Sequence, residues 1–287
     1  MSTGNQVIQR VHPVVGKCIY CGATEKLTKE HTVPLSLNGA LMLKQGSCEE
    51  CARITSAFER SVTRDTLEVA RHVMQYKTRH PERRRDAYPV EVVINGEVKT
   101  VEMPVEAYTA LVPLIDLGFP TYLIDKYSLG PEYRRDWRHN ISVTVSRDPA
   151  ATKAFLESIS AKLVRPKVSF DAYEFARMVA KIAYCETIAL LMLNGYPDLD
   201  SIKENFILDF ILRGGEPPWQ YIGGEPPTAL PDDKTNPDEL AVTFKDGDII
   251  AYVQLFAQLG GPRYCVVVGR ASDELRERLH SQGYDDA

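Results

Sequence analysis

Four cysteines in two Cys-x-x-Cys knuckles, Cys18 with Cys21 and Cys48 with Cys51, constrain this chain more than any other feature. Four thiolates at that spacing suit one tetrahedral zinc with a closed shell, and such an ion is structural. It would hold together a short, loop-rich segment that cannot bury a core by itself. The other two cysteines, Cys185 and Cys265, lie in apolar helical and strand patterns and read as core residues. This usage fits a reducing compartment better than a disulfide framework. The start, Met-Ser-Thr-Gly-Asn-Gln, is polar, and no apolar run reaches the roughly 18 residues of a membrane span. The expectation is a cytoplasmic protein with no membrane partner.

Between the knuckles stands Glu30-His31-Thr-Val-Pro34, the densest concentration of proton-transfer and metal-binding chemistry in the sequence. A neutral imidazole titrates near working pH and can accept a proton from water, while a carboxylate is the hard ligand that Mg²⁺ or Mn²⁺ prefers. Neighbours on a regular strand point to opposite faces, so Glu30 and His31 serve one centre only if the strand ends or twists there. Pro34 supplies an ending.

The patterning predicts an α+β fold: a small zinc-stapled ββα module over residues 1–76, a basic linker over 77–89, and a larger mixed domain with antiparallel strands over 90–287. Residues 1–15 read as a flexible lead-in. Lys26 to Thr32 reads as a strand, Asn38-Gly39 as a turn, and a helix is expected from about Cys48 through Phe58. Pro89 to Met103 has the alternation of a hairpin turning at Asn95-Gly96, Phe170 to Leu193 is the clearest helix, and a second helix is expected from about Leu199 to Leu212. Strands near 240–244, 249–259 and 264–268 predict a three-stranded meander. The larger domain is expected to bind a partner, sense a trigger or make a homodimer.

Charge divides unevenly. Residues 1–90 carry 14 Lys and Arg against 9 Asp and Glu, whereas residues 91–287 carry 20 against 30. Neutralising phosphates is the main electrostatic source of nucleic-acid affinity, so the amino-terminal third is the part suited to a polyanion. Arg53, Arg60, Arg83, Arg84 and Arg85 are the residues expected to meet it. Arg134, Arg135, Trp137 and Arg138 combine cations with an aromatic; stacking on a nucleic-acid strand and a core Trp edged by arginines both explain them, the second more simply.

The order Cys-x-x-Cys, Glu-His-x-x-Pro, Asn-Gly, Cys-x-x-Cys at the head of a helix resembles the zinc-stapled ββα-metal branch of the HNH endonuclease family, over residues 18–60. The resemblance implies a phosphodiester hydrolase acting on nucleic acid, with DNA the expected substrate and a restriction or anti-phage role suggested by the architecture. It makes His31 the general base and Glu30 a ligand of a catalytic Mg²⁺ or Mn²⁺. The family commonly places Asn directly after the last knuckle cysteine as a second ligand; here that residue is Ala52. Thr55, Ser56 and Glu59 are the substitutes within reach, and only Glu59 is a strong ligand, two helical turns beyond Ala52. Asn38 is the residue available to hold the loop around the histidine. The departure at Ala52 favours a rival, a non-catalytic zinc module that grips nucleic acid or protein.

Overall fold

The computed structural model describes residues 10–78, 80–134, 138–165, 170–196, 199–225 and 238–281. Arg135 and Trp137 of the cation and aromatic cluster lie outside the described residues, as do residues 226–237 and those from 282.

The amino-terminal unit is a three-stranded sheet followed by a helix. Its strands are β1 (Arg10–Val14), β2 (Leu27–His31) and β3 (Leu41–Cys48), in the order β1-β3-β2. The expected lead-in is thus a strand from Arg10, paired parallel to β3, because β3 has an edge that β2 leaves open. β2 and β3 run antiparallel, with Glu30 opposite Leu43, His31 opposite Met42, and a register shift between Thr28 and Glu30. They are joined by a single 3-10 turn, Leu35–Leu37, that ends on Asn38 in the left-handed conformation. Gly39 is required there, since a Cβ would come 2.0 Å from the Val33 carbonyl oxygen.

Helix α1 (Glu49–Arg60) begins where β3 stops. Cys48 caps it by accepting from the Cys51 N–H, and Glu49 and Glu50 in the first turn with Arg60 in the last complement its dipole. A π-helical segment, Ser61–Thr66, and α2 (Glu68–Val73) complete the unit. Residues 77, 78 and 80–86 are mostly exposed and lead to β4 (Ala87–Ile94), which turns at Asn95-Gly96 into β5 (Glu97–Pro104) as the alternation predicts. Next come β6 (Thr109–Asp116), α3 (Thr121–Lys126), β7 (Arg138–Ser146), α4 (Pro149–Ser158) and β8 (Ala161–Arg165). β7 pairs with β6, and β8 joins β4.

Helix α5 (Ala172–Leu193) starts at Asp171, whose carboxylate accepts from the N–H groups of Tyr173 (2.9 Å) and Glu174 (3.1 Å). Every residue from Met178 to Cys185 is buried, so the helix is surrounded on all sides rather than laid on a surface. One wall is the cysteine unit and the other is a five-stranded sheet. Core residues Leu43 and Phe58 of the first belong to the same apolar cluster as Ile182 of α5 and Val253 and Tyr264 of the second.

The helix expected over 199–212 divides. Ile202–Asn205 is strand β9, and α6 (Leu208–Arg213) starts after it. Asn205 makes the break: its side-chain oxygen accepts from the N–H groups of Ile207 (3.1 Å) and Leu208 (2.8 Å), a local competitor of helical bonding. β10 (Ile222–Gly224), β11 (Asp238–Lys245), β12 (Asp248–Leu255) and β13 (Arg263–Ala271) follow. The last three form the predicted meander, which β9 and β10 extend. Helix α7 (Asp273–Ser281) ends the described chain, in which no helix is long and apolar enough to cross a membrane.

Candidate functional site

The knuckle at Cys18 is closed by hydrogen bonds from the Cys18 N–H to Ala23 O (2.7 Å) and from the Gly22 N–H to Cys18 O (2.9 Å). Gly22 takes a φ of +76°, which an L side chain rarely adopts. The Ile19 N–H donates to Gly46 O (2.8 Å) and thereby fastens the first knuckle to β3, at whose end the second begins. As a result the four sulfurs lie within 4.8 Å of one another, with Cys21 Sγ and Cys48 Sγ 3.7 Å apart. Bonds of about 2.3 Å at the tetrahedral angle put neighbouring sulfurs about 3.8 Å apart, so the group fits a structural metal such as zinc.

Immediately behind this frame, Glu30 of β2 and Glu59 of α1 meet. They converge on Lys181 of α5, whose Nζ lies 2.8 Å from a carboxylate oxygen of each. The lysine side chain is fully buried, and those of Glu30 and Glu59 are 6% and 18% exposed. The same ammonium donates to the backbone carbonyl of His31 and, more distantly, to that of Thr32 at 3.4 Å. An ammonium has three N–H groups. Two backbone carbonyls accept from them, and the Glu59 Oε1 meets the ammonium as an ion pair without hydrogen-bond geometry.

Burial by itself would depress the lysine, but the two carboxylates reverse the sign and hold Lys181 above its ordinary value. One ammonium cannot compensate two carboxylates fully. Burial pushes Glu59 above the usual carboxylate range against the pull of Lys181, and the charge of Glu30 adds to the rise. A third carboxylate, Glu186, lies on α5 near the Thr32 hydroxyl and Lys181, and burial raises it too.

Each residue singled out in the sequence has a definite place. Glu59 does arrive beside Glu30, which Ala52 cannot do. Glu30 and His31 leave β2 on opposite sides of the pleat. Glu30 points into the interior, and the half-buried His31 offers its carbonyl, not its ring, to Lys181. Thr55 is buried and its hydroxyl donates to Ala52 O (3.3 Å), while Ser56 is exposed. Asn38 accepts from the Lys77 N–H (3.0 Å), tying its turn to the segment after α2. Arg53 and Arg60 are exposed and seven residues apart on α1, hence on one face. Arg83 and Arg85 are exposed, and Arg84 donates to the Tyr76 carbonyl.

A divalent ion at Glu30 and Glu59 does not fit this arrangement. Mg²⁺ needs oxygen ligands at about 2.0–2.1 Å in an octahedron, and the point where the two carboxylates meet is filled by the Lys181 ammonium.

Lys181 is the residue that sequence reasoning missed. The signal was a lone cation amid the apolar run of α5, because lysine is almost never fully buried unless it is paired. The same helix also grips the cysteine frame. Tyr184 donates its hydroxyl to Ile19 O, and the Tyr20 hydroxyl lies 3.3 Å from Cys185 Sγ.

Comparison with protein-family models, curated proteins and solved structures found no match.

Proposed function

We propose that residues 18–60 are a zinc-stapled module of the HNH type that engages nucleic acid, and that Lys181 closes its hydrolytic site. The observation that carries this reading is the position of the ammonium. It occupies the place where two carboxylates from the metal-stapled frame would hold a hard cation, 2.8 Å from each. The cation is covalently part of the chain, so the acid pair stabilises the fold instead of polarising a phosphate. Zinc on Cys18, Cys21, Cys48 and Cys51 supplies rigidity: the frame orients α1, and the exposed Arg53 and Arg60 present positive charge along it. Arg83 and Arg85 are exposed as well.

A second reading, a metal-dependent endonuclease with His31 as general base, is favoured by one observation. Glu59 reaches the point that Glu30 reaches, so the donor missing at Ala52 is replaced from farther along α1. Hydrolysis through that pair requires the Lys181 ammonium to leave.

The two readings separate in one experiment. The zinc-loaded chain is incubated with plasmid DNA and with RNA in Mg²⁺ or Mn²⁺, binding and cutting are both scored, and His31→Ala is run beside it. Binding without cutting is the expected result. Metal-dependent cutting that His31→Ala abolishes would establish the nuclease instead, and neither binding nor cutting of any nucleic acid would remove both.

A further inference from the structure

At one end of the five-stranded sheet, a cavity of about 110 Å³ opens between β9, the turn joining β11 to β12, the end of β13 and the start of α7. Three cations line it, each from a different element: Lys203 of β9, Arg270 of β13 and Arg276 of α7. They gather in the part of the chain that is acidic on average, residues 91–287 carrying 30 acidic against 20 basic residues. Gly247 allows the gathering. It occupies a left-handed turn position at φ +80°, and a Cβ there would lie 3.3 Å from Arg276 Nε, so any side chain would press on the guanidinium.

The acids around the cavity leave these cations underused. Asp273 serves two of them, at 3.9 Å from Lys203 Nζ and 3.8 Å from Arg276 Nη1, and its side chain is 78% exposed. Arg270 Nε stands 4.0 Å from Asp248 Oδ1. That buried carboxylate is already engaged by Lys126 at 2.7 Å and the Tyr122 hydroxyl at 3.0 Å. The distances from Asp273 and Asp248 to the three cavity cations all exceed hydrogen-bond range. Glu204 also lines the cavity. The Arg276 side chain is 43% exposed, while its Nε is closed off and has no hydrogen-bond acceptor among the described residues. An anion that meets the exposed part of this guanidinium would gain a charge-assisted hydrogen bond.

We propose that this cavity binds a tetrahedral oxyanion of the phosphate class, with the Arg276 guanidinium donating to it and Arg270 and Lys203 balancing its charge. Size sets the class. A water needs roughly 10–15 Å³ of such space, so the cavity has room for several heavy atoms, whereas drug-sized ligands occupy about 300–1,000 Å³. A phosphate fits, and a nucleoside attached to one would have to remain outside. Guanidinium groups suit the acceptor, since their fixed fork of donors matches phosphate oxygens.

The test is a thermal-shift and calorimetric titration of the full chain with inorganic phosphate, with adenosine monophosphate, and with sodium chloride at matched ionic strength. Phosphate should raise the midpoint by mass action, and chloride should not. Arg276→Gln should weaken phosphate binding roughly tenfold or more, the loss expected for a charge-assisted hydrogen bond. Should that variant fail to fold, Lys203→Ala, whose side chain is 62% exposed, supplies the same comparison with a smaller loss. Monophosphate binding at least as tight as phosphate identifies a phosphomonoester as the source, and tighter phosphate identifies the free anion. No phosphate response, a chloride response of equal size, or unchanged affinity in the folded variants would overturn the proposal.

Discussion

Two neighbouring sites in this protein bury charge-bearing groups by opposite means. The cysteine frame gathers four ligands through local turns, each knuckle spanning four residues, and leaves a centre that an external metal can occupy. The Glu30–Lys181–Glu59 cluster gathers its members from β2, α1 and α5, far apart in the sequence, and its centre is a side chain of the protein itself. The first site depends on what the solution supplies; the second is complete when the chain has folded.

Removing the metal should have the largest effect. Structural zinc binding in small thiolate sites is linked to folding with an apparent free energy of about 10–16 kcal/mol. Cys51→Ser is therefore expected to lose bound zinc and the ordered structure of residues 18–48, seen as lower metal content and rapid amide exchange there. Native stability and full exchange protection in that variant would mean that α5, through Tyr184 and Tyr20, holds the frame unaided.

Next in size is Lys181→Met. It leaves two buried carboxylates without a counter-ion, and breaking a buried pair by removing one partner costs about 3–5 kcal/mol. Urea unfolding should show this loss at neutral pH. Adding Glu30→Gln and Glu59→Gln to the same variant should restore most of it, because neutral amides then occupy the space. An unaffected Lys181→Met would show that the ion pairs contribute nothing measurable and that the carboxylates are free to hold another cation.

The contrast between the sites also explains what the sequence disclosed. Cys18, Cys21, Cys48 and Cys51 were legible because metal ligation is encoded in spacing, and α5 and the meander were legible because burial imposes a period. Glu59 could be singled out on α1 because it is the one strong ligand among Thr55, Ser56 and Glu59, and the structure places it beside Glu30 on Lys181. Lys181 could not be assigned, since nothing in the local pattern of α5 tells which strand faces it. β9 is hidden for a related reason: Ile202–Asn205 is made a strand by pairing with β13, a long-range partner, and Asn205 then turns the chain. The parallel pairing of β1 is hidden in the same way.

A subtler effect is expected at Glu59. Its folded carboxyl is raised above the ordinary value, chiefly by burial. The folded state therefore holds that proton more tightly than the unfolded chain does. The associated stability is present below the unfolded value and is lost as pH rises through the folded one. Glu59→Gln removes this dependence and leaves Glu30 as the partner of Lys181, so no charge is stranded. The variant should stay close to wild type in stability, and its stability should fall less as pH rises from 4.5. A steeper fall in the variant would mean that Lys181 needs both carboxylates.

The smallest effect on stability, and the most selective one on function, is expected at the exposed face of α1. Arg53→Gln with Arg60→Gln changes residues that are exposed, so unfolding should shift by less than about 0.5 kcal/mol. Nucleic-acid binding should weaken, and the dependence of log affinity on log salt should flatten by roughly 0.9 for each duplex-DNA phosphate that the arginines no longer neutralise. A control follows from the other site: Glu59→Gln lies behind the same helix and should leave the salt slope unchanged. Equal slopes for all three proteins would place the polyanion elsewhere, and a slope reduced by Glu59→Gln would mean that the buried cluster positions α1 for its partner.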